Sequence, residues 1–120
     1  MQYMLVMLET EADFAKRQDP NAAGAYWGAW MSYAQAIHDA GIQVAGAGLQ
    51  PPSTATTVRL RDGQRLVQDG PFADTKEQLA GFFIIDVPDL DTALGWAAQA
   101  PCASGPGVEV RPVLLPPSAA

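Results

Sequence analysis

The sequence predicts an α+β fold in which two split β-α-β units are joined through an inserted β-hairpin. Three observations carry this reading. Tyr3–Leu8 and Phe82–Ile85 are apolar at every position and of strand length, so both faces of each must be covered. Each run is followed by a segment with helical periodicity. Between the two units, Asp62-Gly63 joins two alternating segments.

The elements follow in order. After Tyr3–Leu8, the polar stretch Glu9–Asn21 ends in Asp19-Pro20-Asn21, a turn signal before a helix. Trp27, Trp30, Met31, Ala34, Ile37, His38 and Gly41 keep the i, i+3, i+4, i+7 spacing of one helical face, with Gly41 as its C-cap. Ser32, Gln35 and Asp39 fall on the opposite, watered side. Such a Trp stripe suits a core first and a ligand cradle second. Gln43–Leu49 reads as a strand whose Gly46 and Gly48 share one face. Their missing side chains admit either a helix tryptophan or a ligand. Pro51-Pro52 stiffens the next connection.

Thr57–Arg61 and Gln64–Gln68 alternate around Asp62-Gly63, a type I′ hairpin signal, and one polar face places the hairpin at the periphery. After Phe82–Ile85, Asp89 is a candidate N-cap for a helix whose stripe is Leu90, Ala93, Leu94 and Ala97. Pro101 ends that helix. Val108–Arg111 alternates as an edge strand. Residues 1–115 read as one domain and 116–120 as a frayed tail. The strand order defines a ferredoxin-like βαββαβ sandwich with an inserted β-hairpin. In that topology the two wholly apolar strands are central, and two helices cover only one sheet face. Burying the side chains of the other face contributes about 1.5–3 kcal/mol each. A homodimer with sheets packed face to face is therefore expected.

Composition bounds the function. With 48% apolar and 17% charged residues the chain is globular. A net charge of −6 disfavours nucleic acid and anionic membrane surfaces, which both require clustered Lys and Arg. Cys102 is the lone cysteine, so no intrachain disulfide forms, and Glu109 nearby argues for a passive thiol. The opening MQYMLVMLE is too short to span a bilayer and lacks the basic start of a signal peptide, which points to the cytoplasm. No Gly-rich phosphate loop, nucleophile elbow, dinucleotide fingerprint or transition-metal ligand spacing occurs, so neither cofactor nor metal is expected. Asp86, Asp89 and Asp91 suit a helix N-terminus better than a cation.

The stretch DGPFADTKEQLAGFFIIDVPDLDTALGWAAQAP, followed by VEVRPV and preceded by LQPPSTATTVRLRDG, resembles the DGPF group of the YCII-related superfamily. The likeness runs from the MQYMLV strand to Val113. It implies a ferredoxin-like fold assembled as a dimeric α/β barrel, a bacterial origin and genes lying beside those of extracytoplasmic-function sigma factors. Most members have no assigned activity. Some relatives are lyase-like or dehalogenating, with a proposed His–Asp centre. This chain departs from that pattern. His38 is late in the first helix, and Asp39 lies about 100° around it, so the pair cannot act together.

The loop Asp69–Lys76 is the expected rim of a pocket between sheet and hairpin. Asp69 accepts turn hydrogen bonds, Gly70 and Pro71 set the backbone, and Phe72 anchors the loop into the core. Thr75 and Gln78 fit a capping box for a short helical turn. Asp69 and Asp74 are the candidate catalytic acid/base residues. Lys76, Arg59 and Arg65 are candidates for pairing an anionic ligand group, with Thr75, Gly46, Gly48 and His38 as further ligand-binding candidates. The bland alternative makes these turn, cap and solvated residues, and His38 a packed histidine. Two functions follow: a small-molecule pocket with lyase- or isomerase-like chemistry, or a non-catalytic binding or sensing module linked to sigma-factor-associated transcriptional regulation. An interaction protein using its outer faces is a third.

Overall fold

A computed structural model describes residues 1–117. Residues 118–120, most of the expected frayed tail, lie outside the described residues. The chain runs β1 (Gln2–Thr10), α1 (Glu11–Ala15), α2 (Ala23–Asp39), β2 (Gln43–Gly48), β3 (Thr56–Arg61), β4 (Gln64–Asp69), β5 (Glu77–Asp86), α3 (Leu90–Ala98) and β6 (Val108–Pro112). One antiparallel sheet has the order β2-β5-β1-β6, and β3-β4 form a separate two-stranded sheet. The two apolar strands β1 and β5 are the inner pair.

Period-two alternation sorts the strands' side chains. Along β1, Tyr3, Leu5, Met7 and Glu9 are buried while Met4, Val6 and Leu8 are half-buried. Cross-strand pairing sets Leu5 against Phe83 and Val6 against Phe82, so Phe83 and Ile85 join the helix-facing side. Leu5, Met7, Ile37 and Ile85 are fully buried there, each contributing roughly 1.5–3 kcal/mol. The opposite face presents Met4, Val6, Leu8, Phe82 and Ile84 without cover from this chain's helices. A bulge interrupts the inner pair. Met7 faces Gly81 and Leu8 faces Leu79, leaving Ala80 as the extra residue of β5.

Several local expectations hold for clear reasons. Asp62 (φ 54°) and Gly63 (φ 76°) both take positive φ, as a type I′ turn demands. Asp89 Oδ1 accepts from the Thr92 amide at 2.8 Å and caps α3. The Thr92 hydroxyl, and then that amide bond, hold the Asp89 carboxyl below its ordinary range. Gly41 follows α2 at φ 69°.

Other expectations are corrected. The polar stretch after β1 contains α1, nucleated by a capping box in which Thr10 and Asp13 satisfy each other's amides. The residues of α2 that reach the core are Tyr33 and Ile37, whereas Trp27 and Met31 are exposed. Helical spacing identifies a stripe, but the tilt of the helix decides which edge of it meets the sheet. No helical turn begins at Thr75. Gln78 instead donates to Ala73 O and Thr75 O, and β5 already starts at Glu77. Phe72 does not anchor the loop: it is 78% exposed, with the Arg59 guanidinium 5.1 Å from its ring centroid. Cys102 is buried, its Sγ 3.8 Å from Met7 Sδ. Burial pushes that thiol up, and the carboxylates that add to the effect are Glu9 and Asp13 rather than Glu109. His38 is exposed in the last turn of α2, not packed.

Candidate active site

The site is built where β1 hands over to the helices. The alternation that buries Tyr3, Leu5 and Met7 also turns Glu9 inward, leaving a carboxylate only 2% exposed. Burial of a lone charge is costly, so partners must arrive from elsewhere. The Thr10 cap starts α1 at once, and the turn after α1 brings Arg17 back over β1. The first turns of α2 supply Tyr26.

The three side chains close a ring of bonds. Arg17 Nη2 donates to Glu9 Oε1 at 3.0 Å, Tyr26 Oη donates to the same oxygen at 2.6 Å, and Arg17 Nε donates to Tyr26 Oη at 2.8 Å. Arg17 Nη1 donates to Leu49 O at the end of β2. The guanidinium lies 4.9, 5.6 and 5.3 Å from the ring centroids of Phe14, Tyr26 and Trp27. Burial, and then the hydrogen bond to Glu9, push the Tyr26 hydroxyl up to about 12, so it stays a neutral donor. Two capacities are unused. Among the described residues every hydrogen bond to the Glu9 carboxylate goes to Oε1, and three of the five guanidinium N–H groups are engaged.

This cluster heads a cavity of about 230 Å³ between α2 and the four-stranded sheet. Trp27, Trp30 and Phe83 wall it, Gly48 and Gly81 lie on its sheet side, and Glu9, Arg17 and Tyr26 form its polar end. The tryptophan stripe thus lines a cavity at Trp27, Trp30, Met31 and Ala34. Glu9, Tyr26 and Trp30 also border a second cavity of about 480 Å³ against Pro101, Cys102 and Pro106. From Arg17 and Trp27 an open groove runs past Leu49 and Pro51. It shares Glu11, Phe14, Ala15, Pro51 and Ser53 with a groove of about 890 Å³ that ends at Pro71, Asp74, Thr75 and Lys76.

The residues singled out from the sequence fall in several places. Asp74, Thr75 and Lys76 come together on the outer groove, all exposed. Thr75 Oγ1 donates to Glu77 O at 2.6 Å. Asp69 is exposed at the end of β4, opposite Thr56. Arg59 pairs with Leu66 and Arg65 with Leu60, so the two arginines project from opposite hairpin faces. At Gly46 an added Cβ would stand 3.0 Å from Phe83 Cδ1, so a sheet phenylalanine occupies that space; Gly48 lines the 230 Å³ cavity. His38 is exposed and lines none of these hollows. Glu9, Arg17 and Tyr26 escaped the sequence reading. The signal was the phase of Glu9, which continues the inward set Tyr3, Leu5, Met7 by two residues. Among the described residues no three His, Cys, Asp or Glu side chains converge as a metal site, and no helix is long and apolar enough to cross a membrane.

A four-stranded antiparallel sheet backed by helices, with a buried acid–guanidinium–phenol cluster at the head of an aromatic cavity, defines a small mixed α/β domain with a preformed hollow. The chain belongs to the YCII-related domain family, whose model matches residues 1–115. It is 48% identical over 71 residues to the uncharacterised protein R00369 of Rhizobium meliloti (strain 1021), covering 58% of this chain and 57% of that relative. The aligned part thus spans little more than half of the relative's length. The fold is similar to that of the 5-chloro-2-hydroxyhydroquinone dehydrochlorinase TftG from Burkholderia phenoliruptrix AC1100, solved with 2,5-dihydroxybenzoquinone. The TM-score is 0.56 at 12% identity over 97% of this chain and 96% of that one, a likeness of fold alone.

Proposed function

We propose that this chain binds a small, flat, largely apolar molecule in the 230 Å³ cavity and performs acid/base chemistry on it, as a lyase or isomerase. The observation that carries this reading is Glu9: a carboxylate 2% exposed, one oxygen held twice and the other free, on the cavity wall. Glu9 Oε2 takes a proton from a carbon next to a carbonyl or an equivalent electron sink. The released electron pair moves onto the substrate's carbonyl oxygen, whose growing charge the two unused Arg17 N–H groups stabilise, while Tyr26 keeps its one proton on Glu9 Oε1. The proton then returns to another carbon, or a leaving group departs with its electron pair. Tryptophan faces and glycine gaps suit a ring. The dehydrochlorinase neighbour, with its quinone ligand, fits this class of chemistry. The outer groove with Asp74, Thr75 and Lys76 provides the approach to the cavity, and Asp69 and Asp74 are the rival acid/base candidates.

The same reading includes the assembly. The topology is ferredoxin-like with an inserted hairpin, and two copies pack sheet against sheet through Met4, Val6, Leu8, Phe82 and Ile84 as a dimeric α/β barrel in the bacterial cytoplasm. The rival function, a non-catalytic sensing module linked to sigma-factor-associated transcription, uses the same cavity without turnover.

The test uses 2,5-dihydroxybenzoquinone as probe, with calorimetry for binding and NMR for exchange of its ring protons in deuterated water. Wild type binds and accelerates exchange, Trp27→Ala weakens binding, and Glu9→Gln binds without accelerating exchange. Exchange that survives Glu9→Gln but fails in Asp69→Asn or Asp74→Asn moves the chemistry to the loop. Binding with no acceleration in wild type favours the sensing module.

A further inference from the structure

The hairpin of β3 and β4 stands off the body. Neither strand pairs with the four-stranded sheet. Its base is closed on itself, by Gly70 N donating to Ala55 O at 2.7 Å and Thr57 Oγ1 to Gly70 O at 2.8 Å. The radius of gyration is 16.5 Å, against roughly 14 Å for a compact chain of this length. Pairing of Val58 with Val67 and of Leu60 with Arg65 sets Arg65 on one face with Val58, Leu60 and Val67. The three apolar residues are 56%, 78% and 54% exposed. The other face carries Thr57, Arg59, Arg61, Gln64 and Gln68 around Leu66. A lone two-stranded hairpin is marginal in water, and this one shows an uncovered face that is apolar but for Arg65.

We propose that a second copy of this chain covers it: each subunit's arm lies in the other's outer groove and roofs the path to the cavity. Charge selects this occupant. Residues 56–69 hold Arg59, Arg61 and Arg65 against Asp62 and Asp69, a net of +1. The rest of the chain then carries 7 − 3 = 4 cations against 13 − 2 = 11 anions, a net of −7. The arm is the cationic part of an acidic molecule, so it is drawn to the body of a copy, while that body repels nucleic acid. The groove matches in kind. Phe14, Pro51, Pro52 and Pro71 give it apolar walls, and Glu11 and Asp74, with Lys76 at the far end, lie beside them for Arg65, the cation on the arm's apolar face. Geometry agrees: Pro51–Pro52 and Pro71 flank the arm's own root, so a two-fold axis between two roots exchanges the arms onto each other's grooves. A six-residue strand reaches about 20 Å, the width of a four-stranded sheet.

This inference builds on the homodimer proposed above but uses another surface, and the experiment separates the two. Sedimentation of wild type is expected to give twice 12.7 kDa. Leu60→Asp and Val67→Asp, both at exposed positions, are expected to keep the native circular dichroism spectrum. Each side chain occurs twice in a symmetric dimer, so each substitution raises the dimer Kd at least about tenfold to hundredfold. If Val6→Asp, on the sheet face, splits the dimer while both arm variants stay within twofold of wild type, the arm proposal falls and the sheet-face reading stands. If the arm variants dissociate and Val6→Asp does not, the reverse holds. A monomeric wild type overturns both. A Leu60→Cys, Ser53→Cys double variant is expected to give a reducible cross-linked dimer on mild oxidation; absence of that band while the dimer persists overturns placement in the groove.

Discussion

Replacing Arg17 by Met should be among the most damaging single changes outside the apolar core. The substitution keeps the length of the stem and removes the guanidinium. Glu9, whose side chain is 3% exposed, then keeps only the Tyr26 hydroxyl, and Leu49 O loses its donor. Removing one partner of a buried pair costs about 3–5 kcal/mol, far above the roughly 0–1 kcal/mol of a surface pair. Unfolding entropy is about 2.1 cal/mol/K per residue, or roughly 0.25 kcal/mol/K for this chain, so Tm should fall by about 12–20 °C. Urea unfolding followed by circular dichroism measures the same quantity near 25 °C. The diagnostic step is the double variant. Adding Glu9→Gln to Arg17→Met removes the stranded charge and should recover about 2 kcal/mol. A loss below about 1 kcal/mol in Arg17→Met, or a double variant no more stable than Arg17→Met alone, would refute the view that Glu9 is a buried charge held by Arg17.

Four further outcomes are expected. Thr10→Ala should cost about 1 kcal/mol by removing the cap of α1. Desolvation raises the Asp13 carboxyl, but the Thr10 amide and hydroxyl more than offset it, so its folded pKa is lowered; its stabilisation is present above the unfolded value of 3.8, is lost as pH falls through the folded value, and should weaken in Thr10→Ala, by urea titration at pH 2–5. Tyr26 is raised to about 12, so its contribution is complete below the unfolded value of 10.0 and is lost as pH rises toward 12; Tyr26→Phe should remove part of the alkaline fall in Tm. Gly81→Ala would force a Cβ to 2.7 Å from Ala47 O, a backbone atom that cannot turn aside, and should lower the urea midpoint by about 1–3 kcal/mol of stability.

How far the molecule was legible depends on the range of the interactions involved. The apolar runs marked the inner strands because total burial leaves no room for polar residues. Asp62-Gly63 and Asp89 were readable because turn and cap chemistry is local. The stripe of Trp27, Trp30 and Met31 was visible as a stripe, yet its neighbours depend on how α2 settles on the sheet, and periodicity carries no such information. The acid–guanidinium–phenol cluster is harder still. Glu9, Arg17 and Tyr26 are eight and nine residues apart, and only the five-residue α1 and the turn behind it bring them together. The Asp69–Lys76 loop, with the most specific spelling in the chain, is exposed, so its motif said more about kinship than about burial.

The extra residue at Ala80 has a wider consequence. It makes β5 a strand with two reading frames. On one side, Phe83 and Ile85 keep step with Leu5 and Tyr3; on the other, Leu79 and Gln78 have slipped by one, yet still meet Leu8 and Glu9. Pairing Ala80 with Leu8 in a regular ladder would invert everything before it, setting Leu79 against Glu9 at the acid cluster and Gln78 against Thr10 on the outer face. The irregularity is what lets an oily strand and a charged pocket be written on the same ribbon.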